Sequence, residues 1–271
     1  MNLAINYSPP AARLLSAGNI RIDLFKTPDW NWLVDEALKL RPVAVHFTLD
    51  SGNGDIDGTD WEAVADLLEK TRTPFVNLHL DSRRDYYPDI PLDSTRSLDR
   101  KRITETLISD VTSVVERFGC ERVIVENSPY RVEAGSTLRA CVEPEIITQV
   151  VEETGCGLLL DISHVLLSAY YMGMAPEIYF SRLPVRHIKE LHFAGVQKID
   201  GVFTDHLPVT ESDWVWLDWG LEKIRSGEWS KPWLLAFEYG GVGPELAWRT
   251  DTAVINKQVP QLIEHLDKLG I

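Results

Sequence analysis

The chain has 271 residues, 44% of them hydrophobic, with 41 acidic and 27 basic side chains and a formal charge of −14. That excess of acid repels phosphate backbones and argues against a nucleic-acid partner, and no apolar run reaches the roughly 18 residues needed to span a membrane. Cys120, Cys141 and Cys156 are odd in number and far apart, and "MNLAINYSPPAARLL" lacks the basic-plus-apolar pattern of a secretory leader, so a cytoplasmic protein with reduced, structural thiols is expected.

In chain order, short β-branched or apolar runs at 3–7, 20–25, 43–47, 75–79, 122–126, 157–161, 188–192 and 233–238 read as strands. Helical periodicity occupies 59–71, 98–118, 142–154, 211–226 and 251–269. Strands alternating with helices predict an α/β fold, a (β/α)8 TIM barrel that uses 1–271 as a single domain. An open doubly wound sheet competes, but no GxGxxG or P-loop follows the early strands. The link "SPPAARLLSAG" between the first two strands has room for only two helical turns. Segments 80–97, 127–141 and 193–212 are long, and in a barrel all three lie on the C-terminal face, where active sites are built.

Ionisable residues gather at the same end. His46 lies near the end of the third strand, His79 ends the fourth, Glu126 the fifth, Asp161 the sixth, His192 the seventh and Glu238 the eighth. His164 follows Asp161, and Asp205–His206 lie in the loop after strand seven, so five histidines and four carboxylates aim at one mouth. Taken singly, a strand-end acid more often caps the next helix and a strand-end histidine more often bonds a neighbour. Together, so many carboxylates repel one another unless a cation holds them, and imidazole with carboxylate but no thiolate suits iron, manganese or zinc. Nine ligands exceed what one ion takes, which points to two or three ions.

Asn127, beside Glu126, is a ligand or a donor behind one. Asn77 and Glu190, one pleat below His79 and His192, are candidates to orient those imidazoles. Arg83, Arg84, Tyr86 and Tyr87 form a candidate substrate loop, with plain surface as the competing reading. Trp214, Trp216 and Trp219 read as packing against the barrel. His187 starts a strand and His265 lies on the last helix, away from the mouth.

The stretch 126–195, with "ENSPY", "GCGLLLDISH", "LP" and "IKELHFAG" in that order, resembles the multinuclear non-haem iron-dependent oxidative enzymes, the family that includes the methanobactin-biosynthesis oxidase. The flanks agree more loosely through His46, His79, Asp205–His206 and Glu238. The resemblance implies a xylose-isomerase-like TIM barrel holding two or three irons. It implies O2-dependent modification of cysteine or other residues in ribosomally made peptides, often presented by a partner protein. It also implies that Glu126, Asp161, His164, His192 and Glu238, with His46, His79, Asp205 and His206, are the ligands. Two departures stand out: Asp205 and His206 are adjacent where the family has one residue between them, and "LDISH" replaces "LDVNN". The preferred reading is therefore an iron-dependent oxidative enzyme acting on a peptide or small thiol or polar substrate. Its rivals are a divalent-metal sugar isomerase or epimerase with Glu126 or Glu238 as base, a metallo-phosphodiesterase, and a barrel that only stores or senses metal.

Overall fold

The computed structural model describes residues 1–132 and 135–270, and of Leu269 the backbone alone. Eight parallel strands form the barrel wall: β1 (Asn2–Asn6), β2 (Leu24–Pro28), β3 (Val43–His46), β4 (Val76–Leu80), β5 (Val123–Asn127), β6 (Gly157–Asp161), β7 (Ile188–Phe193) and β8 (Leu234–Phe237). Their order around the wall is β3-β2-β1-β8-β7-β6-β5-β4, with the two-residue strand Asp50–Ser51 on the free edge of β4.

Alternation along each strand sorts the side chains into two cores. Outward residues such as Phe25, Val45, Leu78, Val125, Leu160 and Phe237 pack under the helices in one large cluster. Inward, Ala4, Ala44, Leu234 and Ala236 form a separate small cluster in the lumen. Small side chains there leave space for longer polar ones above.

The wall closes between β3 and β4 without a regular ladder. The Asn77 amide oxygen accepts from Phe47 N–H at 2.8 Å and its nitrogen donates to Phe47 C=O at 3.0 Å, while the Thr73 hydroxyl accepts from Val45 N–H at 3.0 Å. Asn77 therefore does not reach an imidazole, contrary to the role expected for it. Its amide replaces a missing strand partner.

The second strand starts at Leu24 rather than residue 20. Ile20 and Ile22 are buried, but Asp23 intervenes: Leu3 N–H donates to its carboxylate at 2.8 Å and Asp23 N–H to Leu3 C=O at 2.9 Å. Helix α1 (Pro9–Ser16) is the two-turn link foreseen between β1 and β2. Helices at Trp61–Thr71, Ser97–Phe118, Pro144–Thr154, Glu211–Arg225 and Thr252–Leu269 lie where periodicity placed them. Three helices carried no usable period. Asn31–Leu38 and Pro176–Ser181 are too short, and Ile162–Met172 is buried on most faces, so no polar stripe marks it. The segment 193–212 holds an antiparallel hairpin, Gly195–Ile199 with Val202–Leu207. A Cβ on Gly195 would lie 2.0 Å from Pro208 C=O, which explains the glycine in "FAG".

Replacing Asn77 by Leu leaves a buried N–H and C=O unpaired, at ~1–3 kcal/mol each. A loss of about 2–4 kcal/mol in urea unfolding is the expected result, and a change under 0.5 kcal/mol would show that Asn77 does not close the wall.

Candidate metal centre

The structure brings all nine predicted side chains to the C-terminal mouth. Glu126, 1% exposed, is the hub: its Oε2 lies 3.4 Å from His79 Nε2 and 3.6 Å from His46 Nε2, and its Oε1 lies 3.4 Å from His164 Nδ1 and 3.8 Å from His192 Nδ1. His46 Nε2 and His79 Nε2 are 3.1 Å apart. On the far side His164 Nε2 faces Asp205 at 3.2 Å and Asp161 at 3.7 Å, and His192 Nδ1 faces Glu238 Oε1 at 3.1 Å. Four triads have ligand atoms within 4.8 Å of one another: His46–Glu126–His192, Glu126–Asp161–His164, Asp161–His192–Glu238 and His164–Asp205–His206.

Two local features make this possible. Asp161 caps the helix that follows β6, one oxygen accepting from His164 N–H at 2.8 Å while the other turns to the site. The capping and site roles thus coexist. Asp205 and His206 are neighbours in a strand and would ordinarily point to opposite faces. The pairing shifts register between Thr204 and Leu207, and His206 takes φ +54°, so both side chains enter the mouth.

Burial sets the electrostatics. It raises Glu126 to about 8, with Glu238 and Asp161 adding to the rise against His192 and His164. Burial alone would lower His164 and His192, yet carboxylates hold both at about 10: Asp161, Asp205 and Glu126 for the first, Glu238 and Glu190 for the second. Burial lowers His79 to about 4 and His46 well below its usual range. Glu238 and Asp205 are held low despite burial, chiefly by His192 and His164 respectively.

The donor set fits a metal cluster. Glu126 Oε2, His46 Nδ1 and His192 Nδ1 are buried and lack hydrogen-bond partners among the described residues; His192 Nδ1 is near Glu238 but in no bonding geometry. The donors in the four triads are imidazole nitrogens and carboxylate oxygens without thiolate, a set suited to iron, manganese or zinc.

The remaining candidates separate. Glu190 contacts His192 Nε2 at 2.7 Å. The Asn127 amide is spent on Asp161, accepting from its N–H at 2.9 Å and donating to its C=O at 3.0 Å, and the Asn127 carbonyl accepts from His164 Nδ1 at 2.9 Å. Arg83 is exposed and paired with Asp50 at 2.6 Å and Asp81 at 3.0 Å, beside a cavity that Tyr86 also lines. Arg84 is exposed. Tyr87 is buried, its hydroxyl donating to Gly52 C=O at 2.7 Å, so it belongs to the packing and not to a substrate loop. Trp214 stacks on His265 outside the barrel with ring centres 4.6 Å apart, and Trp216 and Trp219 pack around Phe180.

Three contributors escaped the sequence reading: Lys26 beneath the candidate donors, Arg131, whose guanidinium holds Asp205 at 3.0 Å, and Trp30 at the mouth. Only Lys26 left a signal, since in "DLFKTP" it shares the inward parity of Leu24.

Residues 33–226, well over half the chain, match the family model described as RiPP precursor modification enzyme MbnB/TglH/ChrH. The chain belongs to this family. A UPF0276 protein of Paraburkholderia phytofirmans is 34% identical over 161 residues, 57% of this chain and 50% of that protein. One from Caulobacter vibrioides is 32% identical over 187 residues, 64% and 63% of the two chains. The matches to these curated relatives thus span half to under two thirds of their length. Among solved structures, a D-tagatose 3-epimerase-like protein aligns over 100% of this chain and 98% of its own, with TM-score 0.56 and 14% identity. A xylose isomerase domain protein from Alicyclobacillus acidocaldarius aligns over 99% and 98%, with TM-score 0.55 and 14% identity. At such identities the likeness establishes the fold: this member of the MbnB/TglH/ChrH family is a xylose-isomerase-like TIM barrel. No described helix is long and apolar enough to cross a membrane.

A metal bound at this candidate centre would compete with protons. With no cation bound, Glu126 holds a proton below about 8 and His164 and His192 below about 10, and each must lose one to bind metal. Affinity should therefore rise with pH between 6 and 8 by about tenfold per unit for each proton displaced. Calorimetric zinc titrations in buffers of different ionisation enthalpy check this, and zero proton release at pH 7 would contradict it.

Proposed function

We propose that this protein is an iron-dependent oxidative enzyme that modifies a peptide, with two or three irons held by His46, His79, Glu126, Asp161, His164, His192, Asp205, His206 and Glu238. The observation that carries this reading is the set of four overlapping donor triads, in which Glu126, Asp161, His164 and His192 each belong to two. Shared carboxylates are what neighbouring ions need, and one ion has no use for the eight donors of these triads; His79 is in none of them and adjoins the set through Glu126 at 3.4 Å. Iron there would supply electrons to O2 and a Lewis-acidic position for a thiolate or other soft donor of the substrate.

The chain's own residues shape what reaches that position. A cavity of about 430 Å³ opens over His46, His79, Glu126, His206 and Glu238. The rest of its lining includes the apolar Pro28, Trp30, Val242, Pro244 and Leu246, with Asn6, Tyr7, Thr27, Thr48 and Glu245 among the polar residues. The apolar part of that lining suits a peptide side chain, and the nitrogen-rich donor set weighs against the epimerase reading despite the shared barrel. A peptide-presenting partner protein is part of the proposal.

Anaerobically purified protein should contain two or three irons per chain, and His192→Ala should reduce this to one or fewer, measured by mass spectrometry with Mössbauer spectra. Manganese, magnesium or a single zinc, with no iron after anaerobic reconstitution, would sink the iron reading. With a modifiable peptide in hand, Trp30→Ala should raise KM about tenfold, roughly the worth of one apolar wall residue, and leave kcat within twofold. A selective fall in kcat would remove Trp30 from the binding wall.

A further inference from the structure

Lys26 lies on β2, 2% exposed, with its ammonium on Glu190 Oε1 across the lumen. The floor of small side chains, Ala4, Ala44 and Ala236, leaves its path clear. Three groups converge on the Glu190 carboxylate: Lys26 Nζ at Oε1, His192 Nε2 at 2.7 Å from the same oxygen, and Trp233 Nε1 at 3.3 Å from Oε2. Lysine and tryptophan side chains have donors here and no acceptor. Both carboxylate oxygens are thus committed to accepting, and His192 Nε2 can join them only by donating its hydrogen.

The consequence falls on the other nitrogen. His192 Nδ1 is left facing Glu126 at 3.8 Å and Glu238 at 3.1 Å. Three other histidines are fixed the opposite way, because Nδ1 of His79 meets Leu49 C=O at 3.3 Å, that of His164 meets Asn127 C=O at 2.9 Å and that of His206 meets Glu238 C=O at 2.5 Å. A carbonyl can only accept, so these three present Nε2 to the site.

We propose that Lys26 is a positioning residue which, through Glu190, keeps the hydrogen of His192 on Nε2 and makes Nδ1 the nitrogen offered to metal. This rests on the metal-centre reading, and its test separates the two. In Glu190→Gln, Lys26 still demands the amide oxygen at the Oε1 position, so His192 Nε2 keeps its hydrogen. In the double variant Lys26→Met with Glu190→Gln, Trp233 alone claims the oxygen. The amide NH2 then turns to His192 Nε2, which must become an acceptor and move its hydrogen to Nδ1. The double variant leaves no buried charge unpaired, unlike Lys26→Met alone.

The experiment is a two-bond proton–nitrogen NMR spectrum of 15N-histidine protein, loaded with zinc and, metal-free, at a pH high enough for His192 to be a neutral ring with one hydrogen, with His192 assigned by substitution, alongside zinc content. We expect a protonated Nε2 in the unsubstituted protein and in Glu190→Gln. The double variant should show an unprotonated Nε2 and a 10- to 100-fold loss of zinc affinity at the His192 position. An unprotonated Nε2 in the unsubstituted protein, or a double variant with unchanged spectrum and zinc content, would overturn the proposal. Should zinc fail to bind the unsubstituted protein, the metal-centre reading fails, while metal-free spectra taken where His192 is neutral still report which nitrogen Lys26 sets.

Discussion

A carboxylate at 1% exposure with imidazoles on four sides is the constraint around which this barrel is organised. Ionised and unpaired, Glu126 would be costly to bury. His164 and His192, held protonated by the carboxylates, face one of its oxygens, but the other meets His46 and His79, which burial drives toward neutrality, so the countercharge is one-sided. The barrel supplies positive charge from two directions. Lys26 below neutralises Glu190, and the convergence of donors above creates a place where a cation relieves Glu126, Asp161 and Glu238 together.

The lumen is consequently stratified. Alanines fill the floor, long polar side chains that need a clear path lie above them, and the histidine and carboxylate ring comes next under the cavity. Two asparagines hold the strands where this stacking forces them apart. The ladder between β5 and β6 ends at the Glu126–Leu159 pair, and the Asn127 amide then takes both backbone groups of Asp161. Asn77 does the same for Phe47 at the β3–β4 closure. In each case one side chain imitates a strand's donor and acceptor, so the mouth can widen without leaving peptide groups unpaired.

What was legible in the sequence followed from period and position. Seven of the eight strands were placed to within a residue or so because a buried parallel strand is a short apolar run with sharp ends, and the candidate donors that the mouth brings together followed from asking which residues stand at those ends. The failures have equally local causes. Asp23 mimics a ladder partner and hides where β2 begins. The helix after β6 has no polar face to give it a period. Asn77 has the parity of a residue behind His79, but the wall beside it is open, and the open wall captures its amide. Tyr87 reads as part of a candidate substrate loop because its neighbours are polar, whereas its ring is buried and its hydroxyl bonded.

The adjacency of Asp205 and His206 shows how a spacing that looks wrong for a site can be right. A strand with perfect alternation would deliver one of the two to the mouth and the other to solvent. A shifted register with His206 at positive φ spends backbone strain to deliver both, and the Arg131 ion pair with a bond from Arg249 to the Asp205 carbonyl holds the result. Strain of this kind persists only where surrounding contacts over-determine it, and here they converge on the His164 side of the donor ring. The same barrel serves sugar epimerases, so its shape assigns no chemistry. The chemistry lies in the donors: an added Asp–His pair beside a histidine-rich ring favours metals that accept nitrogen over the hard ions that prefer oxygen alone.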